Sequence, residues 1–193
     1  MPADDLKGLV AWLKANPDKA SAGTTGVGSS LHVAALDFQK QTDTRFAVVP
    51  YRGGGPAMLD VVAGQIDLML DTAADVVEHV RAGRIKAYAV MANSRSAAAP
   101  GIPTVDEAGL PGLYFSQWQA VFAPKATPKE AIAKLNAAFV AALADPTVRQ
   151  RLADIGQEIP PLHQQTPEAL GALQQAEIEK WWPIIRAAGI KAE

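Results

Sequence analysis

Residues 23–30 read Gly-Thr-Thr-Gly-Val-Gly-Ser-Ser, and this stretch decides how the first half of the chain is interpreted. A short segment around Ala20 to Ala22 precedes it, and a helical pattern with an apolar face follows it. The residues of that face are Leu31, Ala34, Ala35 and Phe38. The order of segment, glycine-rich loop and helix predicts a strand–loop–helix unit.

The same unit recurs twice further along the chain. The run Phe46 to Tyr51 leads into Arg52-Gly53-Gly54-Gly55-Pro56 and then a helix with Leu59 and Val62 that ends at Gly64. The run Ile66 to Leu70 leads through Asp71-Thr72 into a helix that stops at Gly83 and carries Val76, Val77 and Val80. A fourth strand is predicted over Ile85 to Met91. Strands that are apolar on both faces and alternate with helices predict an α/β fold with a mostly parallel sheet flanked by helices.

Segments on either side of these units are read mainly as helices. An amphipathic helix comes first, ends at Asn16-Pro17, and has the apolar residues Leu6, Leu9, Val10 and Leu13. Residues 92–113 are interpreted as a connection with a short helix near Thr104 to Ala108, and Tyr114 to Ala123 as a further strand.

A helical C-terminal tail is predicted after that strand. Its first helix should start with a capping box at Thr127-Pro128-Lys129-Glu130, with proline at the first helical position. Its buried stripe should comprise Ile132, Leu135 and Phe139. Asp145-Pro146 and Thr166-Pro167 give the start signals of two more helices, the last of which runs to Gly189.

Composition excludes several classes of function. The chain has 193 residues, of which 49% are hydrophobic and 20% charged, and its formal net charge is −2. Lysine and arginine are scattered, so no nucleic-acid partner is expected. The chain has no cysteine, and His32, His79 and His163 lie on separate elements without metal-ligand spacing. No serine follows a nucleophile-elbow pattern, so we expect neither cofactor nor metal, and a binding protein rather than an enzyme.

The loops that follow the strands are the candidate site, because ligands of open parallel sheets bind at the carboxyl ends of the strands. In residues 23–30 the glycines allow backbone N–H groups to approach an anion, and the helix dipole favours it. Thr24, Thr25, Ser29 and Ser30 add hydroxyl donors. The alternative is that Ser29 or Ser30 only caps the helix. A dinucleotide or P-loop interpretation fits worse, because the third glycine and the lysine are missing.

Two more loops contribute candidates with equally plain alternatives. Gly53 to Gly55 permit close backbone approach, and Arg52 can pair with a carboxylate or can be a solvated surface residue. Asp71 can accept hydrogen bonds from hydroxyls of a solute or from water, or can be the N-cap of the next helix.

Motifs spread over nearly the whole chain resemble one known family. They are residues 23–30, Val49-Pro50-Tyr51-Arg52-Gly53 with Pro56-Ala57, Gly64-Gln65-Ile66-Asp67-Leu68-Met69 with Asp71, Ile102-Pro103-Thr104-Val105, Glu107 to Gly112, Trp118, Ala123-Pro124 with Thr127-Pro128, and Ala187-Ala188-Gly189-Ile190. In order and spacing they resemble the Bug (TctC-like) receptors of tripartite tricarboxylate transporters, which are periplasmic solute-binding proteins.

This resemblance implies a type II periplasmic-binding-protein fold whose two lobes close over a small organic mono- or dicarboxylate, for delivery to membrane transporter subunits. It implies that Thr24, Thr25, Gly26, Gly28 and Ser29 meet the carboxylate. Gly53, Asp71 and Thr72 would lie nearby, and Arg52 stands where lysine is commoner.

The resemblance also implies that this chain is a truncated receptor. Family members have an export signal and most of a first lobe before the point that matches Met1, whereas residues 1–16 lack the layout of an export signal. Residues 3–113 would form the second lobe, and residues 114–193 a crossing strand and helices that complete the first. We expect a half cleft to bind ligand weakly and the exposed helical tail to favour self-association.

Two other classes of function compete with a solute receptor. One is the effector-sensing domain of a transcription regulator, which shares the two-lobed fold and would need a DNA-binding helix-turn-helix. The other is a small hydrolase or transferase, which ranks last because no base is positioned beside Ser29 or Ser30.

Overall fold

A computed structural model describes residues 1–190 of the chain. Its internal contacts divide it into two compact units. The first comprises Met1–Ser116 together with the chain end from Trp181, and the second comprises Gln117–Lys180. The division at residue 113 stays a prediction.

The first unit is an α/β structure that alternates in the predicted order. Its elements are α1 (Leu6–Ala15), β1 (Ser21–Thr24), α2 (Ser30–Thr42), β2 (Ala47–Pro50), α3 (Gly54–Val62), β3 (Leu68–Met69) and α4 (Ala73–Arg81). The sheet order is β2-β1-β3, and both pairings are parallel, with Ala22 opposite Val48 and Leu68. Because β1 is central, its carboxyl end lies between those of the other two strands. The predicted fold class is confirmed.

The core of this unit lies where the apolar faces of α1 and α2 meet the sheet. Leu13 and Ala35 are completely buried, and the rings of Phe38 and Phe46 lie 6.1 Å apart. Burying one such leucine or phenylalanine side chain contributes about 1.5–3 kcal/mol relative to leaving it exposed. The buried residues of α1 are the four predicted: Leu6, Leu9, Val10 and Leu13. This packing holds the sheet edge that carries the loops.

Three predicted elements of the connecting region are wrong. In place of the strand Ile85 to Met91 there is one isolated parallel bridge between Val90 and Thr104. The short helix near Thr104 to Ala108 is a turn, in which Ala108 N donates to Thr104 O at 2.9 Å. It ends at Gly109, whose φ of +83° is not helical. Residues 114–123 form no strand either. An apolar sequence favours an extended strand, but a strand also needs a neighbouring strand with which to form hydrogen bonds. β3, at the edge of the sheet, is only two residues long and offers little backbone for pairing.

The second unit is built from helices. It contains α5 (Lys129–Ala144), α6 (Pro146–Asp154), a 3₁₀ turn (Leu162–Gln164) and the greater part of α7 (Pro167–Ala187). Asp145 Oδ1 caps α6 by accepting from Thr147 N at 2.8 Å and Val148 N at 3.1 Å. Thr166 Oγ1 likewise accepts from Ala169 N at 3.1 Å. Both predicted start signals are confirmed.

The predicted capping box and buried stripe of α5 are wrong. Pro128, rather than Thr127, occupies the N-cap position, and its side chain cannot accept a hydrogen bond. Leu135 is 48% exposed and Phe139 44% exposed, and α5 has no buried residue. Within this unit α5 packs against α6, which covers too little of its surface to enclose the stripe. Helical periodicity identifies an apolar face but not what covers it.

No single helix among residues 1–190 is long and apolar enough to cross a membrane. Helices α5 and α6 meet that criterion only when taken together, across a bend of 73°.

Candidate functional site

The loops that follow β1, β2 and β3 converge at the carboxyl edge of the sheet. A methyl group built on Gly54 would lie 3.6 Å from Asp71 Oδ2 and 3.8 Å from Thr25 Cγ2. One built on Gly26 would lie 3.7 Å from Tyr51 O. We call Thr25, Gly54 and Asp71, one residue from each loop, the three-loop junction. The sequence placed these loops at one edge, and the structure brings them into contact.

The first loop presents a row of unpaired amides at this junction. Thr25, Gly26 and Val27 donate their N–H groups to no described residue. The loop precedes the N-terminus of α2, where the helix dipole adds positive potential, so the amides suit an anion. Gly26 has φ +132° and Gly28 has φ +74°. A side chain at either position would strain the backbone.

The next two amides of the loop are already used. Gly28 N donates to His32 Nδ1 at 3.0 Å, and Ser29 N donates to Gly26 O at 3.2 Å. Burial lowers the pKa of His32, which agrees with a neutral ring that accepts this hydrogen bond. Sequence reasoning missed this role of His32, although a histidine four residues after a loop glycine is the signal that could have found it. The part of the loop open to an anion is therefore Thr25 to Val27.

Hydroxyl groups at the loop ends serve as helix caps. Ser29 Oγ accepts from His32 N at 3.2 Å, so Ser29 caps α2. Thr72 Oγ1 accepts from Asp75 N at 3.3 Å and donates to Asp75 Oδ2 at 2.8 Å. The alternative in which Asp71 is the N-cap of α4 is wrong. Because Thr72 caps the helix, the Asp71 carboxylate is left for the junction.

Thr24 differs from the other hydroxyl residues because it is completely buried. Its Oγ1 has no hydrogen-bond partner among the described residues, and its residue exposure is 0%. Its carbonyl oxygen accepts from Tyr51 N at 2.8 Å and so ties β1 to the second loop. A buried hydroxyl without a partner destabilises the fold by about 1–3 kcal/mol. Thr24 therefore carries a buried hydroxyl without a partner among the described residues, immediately before the residues with unpaired amides.

The Asp71 carboxylate is half-buried and only partly hydrogen-bonded. Its Oδ1 accepts from Thr72 N at 2.8 Å, and its Oδ2 accepts from no described residue. Burial raises the pKa of Asp71, and the Asp75 charge adds to this, while the Thr72 N–H acts in the opposite direction. Arg52 is exposed and forms no ion pair with a residue in the described range. Asp71 therefore faces the junction without a cation beside it.

Metal binding has no support in this arrangement. Across residues 1–190 no three His, Cys, Asp or Glu side chains come together as a metal site. Gly53 has φ +106°, and a methyl group on it would meet nothing within 4 Å. Because Gly54 has no side chain, the position of a methyl group between Thr25 and Asp71 is vacant, and we call this space the hollow.

Comparison with known proteins assigns the chain to a family. The sequence profile described as "TctC: Tripartite tricarboxylate transporter family receptor" matches residues 1–190. The chain belongs to this family. TctC proteins are solute-binding receptors and not enzymes, which confirms the predicted resemblance and the predicted non-enzymatic class.

Individual TctC relatives agree with the assignment. The UPF0065 protein of the TAR-I ttuE-ttuC' intergenic region in Agrobacterium vitis is 38% identical over 181 residues, which are 94% of this chain and 52% of that protein. The malate-bound protein MatC from Rhodopseudomonas palustris has a TM-score of 0.84 and 36% identity, over 95% of this chain and 63% of its own. The periplasmic binding protein BugD has a TM-score of 0.84 and 32% identity, over 100% and 64%. The predicted periplasmic-binding-protein fold is confirmed, and the chain spans about half the length of the curated relative.

Proposed function

We propose that this TctC-family chain binds a small organic mono- or dicarboxylate at the three-loop junction. The single observation that carries the proposal is the run of unpaired amides at Thr25, Gly26 and Val27 beside the N-terminus of α2. Such amides recognise a carboxylate without a cationic side chain. The malate bound to the MatC relative is a compound of this class.

The wider role that we propose is that of a periplasmic receptor. The ligand would be passed to the membrane subunits of a tripartite tricarboxylate transporter, as the name of the matching family states. The periplasmic location of the similar BugD protein supports this setting. The exposed stripe of α5 supports the proposed self-association of the helical tail.

Weak affinity is part of the proposal. A solute held by the edge of one sheet keeps much of its surface in water, and tight sites enclose most of their ligand. We expect dissociation constants on the order of 1 mM, which correspond to about 4 kcal/mol of binding free energy. Titration followed by ¹H–¹⁵N NMR suits this range and reports on individual amides.

Gly54→Ala is the steric test of the junction. The added methyl lies at ordinary contact distance from Asp71 Oδ2 and Thr25 Cγ2, so the fold is kept while the hollow is filled. Gly55→Ala is the matched control, because it adds the same methyl one residue further along α3 and meets nothing within 4 Å. We expect succinate to shift the amides of residues 25–27 in the wild-type chain and in G55A. In G54A the affinity should fall at least about tenfold, a change of about 1.4 kcal/mol.

The contrary outcomes are clear in the same spectra. Succinate shifts located elsewhere in the chain would remove the proposed site. Equal affinities of G54A and G55A would show that the hollow at Gly54 is not where the ligand lies.

A further inference from the structure

Among the residues of the junction, Asp71 is the one that a site for anions should not contain. A carboxylate beside a bound carboxylate repels it unless a hydrogen-bond donor lies between the two. Arg52, the arginine of the second loop, is exposed and forms no ion pair with any described residue, so it does not neutralise Asp71. The presence of Asp71 therefore requires an explanation.

Only one of the two carboxylate oxygens of Asp71 accepts a hydrogen bond from a described residue. One oxygen, Oδ1, is held by Thr72 N at 2.8 Å, which fixes the orientation of the carboxyl group. The other, Oδ2, lies 3.6 Å from the methyl position on Gly54 and accepts no hydrogen bond from the described residues. A half-buried carboxylate oxygen is unfavourable without a donor. The hollow at Gly54 is the space from which that donor would come.

The opposite wall of the hollow supplies donors and no acceptor for them. Thr25, Gly26 and Val27 present unpaired N–H groups, and the buried hydroxyl of Thr24, which precedes them in sequence, has no partner among the described residues. A solute that fits both walls carries a carboxylate for the amides and, next to it, a hydroxyl or ammonium group for Asp71. The two walls together select a chemical class that is narrower than carboxylates in general.

We propose that Asp71 is a specificity-determining residue, which favours small carboxylates with a hydroxyl or ammonium donor close to the bound carboxylate over plain aliphatic ones. This inference rests on the proposed function, and it names the ligand class for the same site. The raised pKa of Asp71 agrees with a carboxyl group whose burial outweighs the one hydrogen bond that it accepts, from Thr72 N.

The test compares three four-carbon dicarboxylates that differ at one position: succinate, malate and aspartate. Each is titrated into the ¹⁵N-labelled chain at pH 7.5, and the shifts of the residue 25–27 amides give the affinities. In the wild-type chain we expect malate or aspartate to bind about tenfold tighter than succinate, as one hydrogen bond to a charged acceptor allows. A preference for malate identifies the hydroxyl as the donor, and a preference for aspartate identifies the ammonium.

Asp71→Asn and Asp71→Ala should remove the preference to within about twofold and should tighten succinate binding, because the repulsion is lost. Glu78→Gln is the matched control: it removes one acidic charge from the exposed face of α4, where Glu78 pairs with Arg81, and should keep the wild-type preference. Two variants at position 71 guard against the misfolding of one of them.

The outcomes separate the two proposals. Equal binding of all three acids at residues 25–27 in the wild-type chain, or an unchanged preference in D71N and D71A, overturns the role of Asp71 and leaves the carboxylate site standing. If none of the three acids shifts those amides, the proposed function fails, and the inference about Asp71 fails with it.

Discussion

Thr24→Val tests whether the buried Thr24 hydroxyl, at the end of β1 before the first loop, lacks a hydrogen-bond partner. Valine has nearly the same shape as threonine but no donor, so the substitution removes an unpartnered polar atom from a residue that is 0% exposed. Relief of that penalty should raise the free energy of unfolding by about 1 kcal/mol. In a chain of this length, about 1 kcal/mol corresponds to an increase of roughly 2–4 °C in Tm.

The chain contains a matched control for this substitution. Thr42 is also buried, but its Oγ1 donates to Phe38 O at 2.6 Å and lies 2.8 Å from Thr44 Oγ1. Thr42→Val should therefore lower the free energy of unfolding by about 1 kcal/mol, because a made hydrogen bond is lost. Urea denaturation followed by circular dichroism measures the free energy of unfolding of both variants. Because the two substitutions should change it in opposite directions, the comparison does not depend on the exact size of either change.

A functional readout accompanies the stability measurement. If Thr24 serves the bound carboxylate, T24V gains stability and binds succinate several-fold more weakly in the same titration. A loss of stability in T24V as large as that in T42V would refute the reasoning, because it would mean that the Thr24 hydroxyl has a partner in solution.

Two further predictions concern the loop and the helical tail. Because burial lowers the pKa of His32 in the folded chain, the stability that this residue contributes is present above its ordinary pKa and is lost as pH falls below it. The NMR signal of the Gly28 amide should therefore shift on acidification from neutral pH to about pH 5. His32→Gln should abolish that shift. An unchanged Gly28 signal in the wild-type chain would contradict the hydrogen bond to His32. Leu135→Glu places a charge on the exposed stripe of α5 and should lower the apparent mass in concentration-dependent light scattering, whereas a monomeric wild-type chain would rule out self-association through this stripe.

The fold of the first unit was predictable because glycines and prolines punctuate strong periodic patterns. Residues 25–29 separate β1 from α2, and α1 ends just before Asn16-Pro17 as expected. The absence of a strand over Ile85 to Met91 was not predictable, because the sequence does not reveal that only Val90 finds a bridge partner, Thr104. The stripe of α5 failed for a related reason, since apolar spacing does not reveal which surface a helix meets.

The candidate site was predictable at the level of loops and not of atoms. Glycine patterns placed Thr25, Gly53 and Asp71 at one edge of the sheet, and contacts at Gly54 agree for the first and third loops. Which amides stay unpaired depended on the His32 ring, and which residue caps α4 depended on a shift of one position, from Asp71 to Thr72. Such choices follow from three-dimensional hydrogen-bond competition, which a linear pattern does not contain.

The unpaired amides of Thr25, Gly26 and Val27 belong to the main chain, and every amino acid except proline carries the same donor. Redesign of this protein for a different solute can therefore leave residues 25–27 untouched and vary the side chains at positions 54 and 71. The backbone amides would continue to bind the carboxylate, while substitutions at positions 54 and 71 would change which solute is preferred. Variants of this kind could serve as biosensors for different carboxylates.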